Sequence, residues 1–187
     1  MYSVNIVRFR DKLQKDQDNL SVRRKLHENY EWLESFWREK YNGENLIDQF
    51  SREFNDFYWE LEDVREIARR FSSYPPVGNS KMNFDPSESL KRATYYLRFH
   101  CELHEEGFPE LEDDEKSTGA NWTKSKLNAL LTMTKQVRDN LFHGQKMQLA
   151  EDLYRRNKEL VSMAAKVSDL ILDNLEEAER HQFKIAE

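Results

Sequence analysis

The run from Asn45 to Phe71 constrains the fold more than any other stretch of the chain. Ile47, Phe50, Phe54, Phe57, Leu61, Val64, Ala68 and Phe71 recur at steps of three and four, with Tyr58 alongside. Side chains at that spacing share one face of an α-helix, whereas a strand repeats every second residue. A phenylalanine-rich face of this kind belongs in the core of a helix bundle, although sustained heptad spacing is also met by a coiled-coil partner. Only five glycines and four prolines occur in 187 residues, so little interrupts helices elsewhere. An all-α chain, an antiparallel bundle of five or six helices, is expected.

The remaining segments fit that frame. In residues 2 to 41, Ile6, Phe9 and Leu13 share a face, a polar stretch from Gln14 to Asn19 dilutes the pattern, and Leu26, Tyr30, Leu33 and Trp37 resume it. This reads as one long helix or two shorter ones, ending at Asn42-Gly43. Residues 1–42 are taken as a helical extension packing on the core or on a dimer interface, and residues 43–187 as the main domain. Ser72 to Ser80, with Pro75-Pro76, must be a loop. Asp85-Pro86 opens a further helix that reaches about Glu106. After an acidic loop, another helix begins near Asn121 and ends at Gly144, and a last one runs from about Met147 to Arg180. Phe54, Leu61, Leu131, Leu141 and Val167 are expected inside.

Charge and cysteine content narrow the function classes. No apolar run approaches the ~18 residues of a membrane span, the N-terminus lacks a signal-peptide core, and Cys101 is the single cysteine. A cytoplasmic chain is therefore expected. The net charge of −6 argues against general binding of polyanions, but it is unevenly spread. Residues 102–115 hold eight acidic side chains and no lysine or arginine. Residues 121–166 hold nine basic against four acidic, a net of +5. Such a local field attracts phosphate backbones even on an acidic protein, and it equally describes a solvated face. His100 and His104 stand at i and i+4, but no third ligand is near, so no metal and no other cofactor is expected.

The chemistry-bearing stretch lies in the basic region. Leu127, Leu131, Thr134, Arg138 and Leu141 form one helical stripe, so Arg138 stands where a hydrophobe is expected. Five residues later comes His143, followed by Gly144, which favours a left-handed helix end there. Spacing alone favours an arginine snorkelling at a helix edge beside a histidine near the helix's negative end.

The residues around the pair add to this. Arg138-Asp139-Asn140-Leu141-Phe142-His143-Gly144 resembles the R-x4-6-H motif of the HEPN superfamily, small all-helical domains many of which are metal-independent ribonucleases. The motif covers about ten residues, and the helical layout of roughly residues 44–180 is compatible with the family. The resemblance implies an endoribonuclease acting on single-stranded RNA, with Arg138 and His143 catalytic and Asp139 and Asn140 orienting them. Lys135, Lys146, Arg155 and Arg156 are the candidate RNA-binding cations, the last two if the flanking helices form an antiparallel hairpin. The resemblance also implies a homodimer in which two motifs meet in one groove. A toxin or phage-defence effector, with an antitoxin or other regulatory partner, fits the family. Gln145 stands where the toxins paired with nucleotidyltransferase antitoxins commonly carry a tyrosine, which puts neutralisation by tyrosine adenylylation in doubt. Two rivals remain open: a non-catalytic HEPN-like dimerisation or adaptor module, and an unrelated helical interaction protein.

The chemistry of the motif is direct. Metal-free RNA cleavage needs a base for the 2′-hydroxyl proton, an acid for the leaving 5′-oxygen and positive charge at the phosphorane. Histidine titrates near neutrality and serves as base or acid, while arginine keeps its charge and matches phosphate geometry.

Overall fold

The first break in the chain falls at Asp16. In the computed structural model, which describes residues 4–74, 87–101, 110–142 and 151–185, helix α1 (Val4–Lys15) stops there and α2 (Gln17–Lys40) starts. The Asp16 carboxylate accepts the Asn19 N–H at 3.1 Å, an N-cap that satisfies a donor the helix cannot. The polar Gln14–Asn19 stretch is thus the joint between two helices. At the far end of α2, Gly43 adopts φ +85°, the turn conformation that glycine takes without strain.

The α2 helix belongs to the main core. Leu26, Tyr30, Leu33 and Trp37 are all buried in the same cluster as Phe50, Phe54, Leu131 and Val167. The Trp37 ring lies 5.7 Å from Tyr30 and 5.7 Å from Phe50, at the separations aromatic pairs prefer. Truncating a large aromatic at such a position typically costs about 3–5 kcal/mol.

The phenylalanine-rich run is two helices, α3 (Leu46–Glu60) and α4 (Glu62–Ser72). Leu61 between them is extended, with φ −70° and ψ 122°. The stripe keeps its phase across the break, but the helices pack differently: α3 against α7 (Lys126–Phe142) and α9 (Leu175–Ile185), α4 against α5 (Glu88–His100) and α8 (Glu151–Asp173). One straight helix could not reach both sets of neighbours. Leu61 at the break and Leu141 near the end of α7 are only half-buried, against expectation, while Phe54, Leu131 and Val167 are buried as expected.

A further helix, α6 (Asp113–Ala120), stands inside the stretch read as an acidic loop, so the motif helix begins at Lys126 rather than near Asn121. Its start is a capping box, in which Glu112 and Glu115 satisfy each other's backbone N–H groups. Gly119 brings α6 against α5 so closely that a Cβ there would sit 2.9 Å from the Tyr95 carbonyl carbon and the Tyr96 nitrogen. The expected last helix divides at Asn174 into α8 and α9, and α9 is held to α3 by Gln182 donating to the Glu53 carbonyl at 2.6 Å.

The described residues form helices only, nine of them where periodicity predicts five or six. The extra ones come from α6 and from joints that no glycine or proline marks. The arrangement is not uniformly antiparallel. Along α2 and then α8 and α9, Asp16 meets Lys158, Asn29 meets Asp169 and Lys40 meets Glu179, so α2 runs parallel to α8. No helix among the described residues is long and apolar enough to cross a membrane. Ser72, expected to open the loop, ends α4, and residues 75–80 of that expected loop, Asp85-Pro86, residues 102–109 with His104, and residues 143–150 with His143, Gly144, Gln145, Lys146 and Met147 lie outside the described residues.

Candidate functional site

Helix α7 is anchored at its start by a polar knot. The Ser125 hydroxyl accepts the Asn128 N–H at 3.1 Å, and the buried Asn128 amide donates to Asp48 at 2.6 Å and to Ser51 at 2.9 Å. From that anchor Leu127, Leu131 and Thr134 face the core, with the Thr134 hydroxyl returned to the Leu130 carbonyl at 2.9 Å. One turn further the stripe arrives at Arg138.

The Arg138 side chain is 20% exposed and engaged on three sides. Its guanidinium lies over the Tyr30 ring, 5.1 Å from the centroid, within the range of a cation–π contact. Nη1 donates to Asp139 Oδ1 at 3.1 Å, and Nη2 stands 3.5 Å from Glu34 Oε2. Glu34 is also 3.7 Å from Arg38 Nη2, one turn along α2. The other oxygen of Asp139 takes Lys135. Both Asp139 oxygens therefore face cations. Arg138 and Lys135 are matched by Glu34 and Asp139, so these four groups carry no formal net charge.

Tyr30 lies beneath this cluster, fully buried, and its hydroxyl has no hydrogen-bond partner among the described residues. Burial pushes its phenol well above the ordinary range, and the nearby Glu34 and Asp139 charges push it further, with Arg138 opposing. Asn140 sits at the edge, its side-chain oxygen accepting from Gln136 at 2.9 Å. Arg138, Asp139 and Lys135 are thus brought into one cluster, and Asn140 lies beside it. His143 and Lys146 fall outside the described residues.

Arg155 and Arg156 are placed elsewhere. Their neighbours Tyr154 and Lys158 both reach Asp16, at 3.1 and 2.9 Å, whereas Arg138 sits at Tyr30. From Asp16 to Tyr30 is fourteen residues of α2, about 21 Å at ~1.5 Å per residue. Arg155 is exposed, and Arg156 is partly buried, with Tyr74 nearby.

Two residues that motif spacing does not reveal, Tyr30 and Glu34, thus stand against Arg138 among the described residues. They lie about a hundred residues earlier in the chain, Tyr30 on the apolar face of α2 and Glu34 at its edge, and no local pattern links them to the motif.

A cleft of about 440 Å³ opens apart from this cluster, lined by Trp59, Arg65, Arg69, His100 and Cys101 among others. Burial pushes the Cys101 thiol up to about 11, which leaves it a poor nucleophile. Burial and Lys126 push the His100 imidazole down. Among the described residues no three His, Cys, Asp or Glu side chains are grouped as a metal site would need.

No family model matches the chain, and neither a curated protein nor a solved structure matches it.

Proposed function

We propose that the chain is a metal-independent endoribonuclease of HEPN type, cutting single-stranded RNA at a composite site that two copies form together. Arg138 binds the scissile phosphate and stabilises its developing charge, and His143 moves the proton. The observation that carries this is the treatment of Arg138. A cation in an apolar stripe is held by a ring and two carboxylates rather than released to solvent, and part of it still faces outward. An arginine kept in fixed orientation suits the paired-donor recognition of phosphate. One histidine per motif leaves the reaction one proton-transfer group short, which a homodimer supplies.

The second reading is a non-catalytic HEPN-like dimerisation or adaptor module. It is favoured by the same cluster seen from its charge: Glu34 and Asp139 already balance Arg138 and Lys135, as in a structural pin between α2 and α7.

Cleavage separates the two. The purified protein in EDTA is expected to cut single-stranded RNA, and His143→Ala to lose about 10²–10⁴-fold while remaining folded. Arg138→Lys is expected to be poor as well, because lysine keeps the charge and loses the planar fork. A folded dimer inert on every RNA supports the adaptor. A protein that sediments only as a monomer at micromolar concentration contradicts the composite site.

A further inference from the structure

The cleft of about 440 Å³ lies where α3 gives way to α4, and its size falls within the ~300–1,000 Å³ of small-ligand sites. Trp59 stands on one side of the Leu61 break and Glu62, Arg65 and Glu66 on the other, while His100 lines the cleft from the end of α5. These charged groups do not pair with one another. Glu62, Arg65 and Glu66 are exposed and enter no ion pair among the described residues, and the Arg65 guanidinium makes one long contact, from Nη1 to the Trp59 carbonyl at 3.3 Å. At the start of α7, Lys126 holds its Nζ 5.3 Å from the centroid of the Trp59 ring, likewise without an ion pair among the described residues.

Flat rings stand beside these charges. The His100 ring centroid lies 4.4 Å from that of Tyr96 and 5.3 Å from that of Phe99, a phenylalanine left 60% exposed. Burial and Lys126 keep the imidazole below its ordinary pKa, so at neutral pH it is an uncharged ring with one donor and one acceptor. Aromatic rings flanked by cations are what single-stranded nucleic acids bind. The two carboxylates restrict what enters. They repel a run of phosphates, so the cleft suits one nucleotide rather than a length of backbone. They also accept hydrogen bonds, which bases carrying an amino group supply. Uracil, with a single ring N–H between two carbonyl oxygens, supplies them least.

We propose that this cleft is a base-recognition site for the RNA strand: His100 and Trp59 take the flat base, Glu62 and Glu66 accept its amino and ring N–H groups, and Arg65 and Lys126 hold its phosphate. This rests on the ribonuclease reading above and adds a specificity site to it. From Lys126 to Arg138 is twelve residues of α7, about 18 Å at ~1.5 Å per residue, so the base recognised is not the one at the cut.

The test is fluorescence anisotropy of labelled 2′-O-methyl octamers of adenosine, cytidine and uridine with the full chain. Lacking the 2′-hydroxyl, these strands are bound and not cut. The adenosine and cytidine octamers should bind about five- to a hundredfold more tightly than the uridine octamer, the range that one base-edge recognition supplies. Glu62→Gln with Glu66→Gln should bring the three together. His100→Ala should weaken the adenosine octamer by about five- to a hundredfold, as loss of one stacked ring does, and His100→Phe, which keeps a flat ring, should restore it. These side chains are exposed, and circular dichroism checks that each variant is folded. Octamers bound with wild-type affinity by both His100→Ala and the double glutamine variant overturn this inference alone. Free AMP bound as tightly as the adenosine octamer, and lost with His100→Ala, overturns the strand assignment and makes the cleft a site for a free nucleotide. A wild-type protein that neither binds nor cuts RNA overturns the ribonuclease reading, and the base site falls with it.

Discussion

Replacing Arg138 by methionine separates a functional arginine from a structural one, and the structure sets the size of both effects. Among the described contacts, the losses are a cation–π contact worth about 1–2 kcal/mol in a partly desolvated setting and ion pairs worth about 0.2–1 kcal/mol each. The gain is apolar burial in an apolar stripe, up to about 1.5–3 kcal/mol for a fully buried methionine, together with relief from desolvating a cation. Removing one partner of a buried pair is costly when it strands a charge. Here Asp139 keeps Lys135, Glu34 keeps Arg38, and both carboxylates are about a quarter exposed. The opposing contributions nearly cancel, so Arg138→Met should unfold in urea within about 1 kcal/mol of wild type and with an unchanged slope. Its cleavage rate should fall by roughly 10²–10³-fold, the usual effect of deleting a transition-state charge ligand. A loss of about 3 kcal/mol or more would make Arg138 a pin between helices. Normal cleavage by a folded Arg138→Met protein would remove it from the chemistry.

Two further outcomes test the fold around the site. Gly119→Ala should lower the melting temperature by several degrees: its Cβ meets α5 backbone atoms at 2.9 Å, and overpacking of about 1–3 kcal/mol outweighs the ~1 kcal/mol that alanine gains in a helix. A higher melting temperature would mean that α6 is not seated against α5. The α1–α2 joint should loosen in acid. Burial raises the Asp16 pKa, but hydrogen bonds from Lys158, the Asn19 N–H and Tyr154 outweigh it and leave the carboxyl below its ordinary value. A carboxyl depressed in the folded state contributes stability above its unfolded pKa of about 4, and this is lost as pH falls through the lower folded value. Protection of the α1 amides, measured against their intrinsic exchange rate at each pH, should therefore fall below about pH 4, and Asp16→Asn should show no such transition. Protection factors in α1 that stay constant with pH in the wild-type protein would contradict the Asp16 contacts.

How far the sequence could be read depended on whether a feature was written locally. The buried faces of α2, α3 and α7 follow from residue spacing, because burial leaves a period of 3.6. The joint at Leu61 is invisible to spacing, since Phe57, Leu61 and Val64 keep the helical phase through it. The bend exists because α3 and α4 have different neighbours, which is tertiary information. The joint at Asp16 and the start of α6 did have local signals, an aspartate capping the third N–H beyond it and the Glu112–Glu115 box, both masked by the charged residues around them. Arg138 stood out as a cation in an apolar stripe. Its partners did not: Tyr30 reads as one more aromatic of a core face and Glu34 as a helix-edge charge, and only packing of α2 near the end of α7 unites them. The arginines at 155 and 156 show the converse, since they are close to the motif in sequence yet lie at the level of Asp16.

The most direct measurement is the chemistry of the cut ends. A defined single-stranded RNA is incubated with the wild-type protein in EDTA, and the fragments are identified by mass spectrometry and by their response to polynucleotide kinase. Attack by the 2′-hydroxyl, with Arg138 on the phosphate and His143 moving the proton, must leave a 2′,3′-cyclic phosphate and a 5′-hydroxyl. Fragments with 5′-phosphate ends, or cleavage that stops in EDTA, would contradict the assignment.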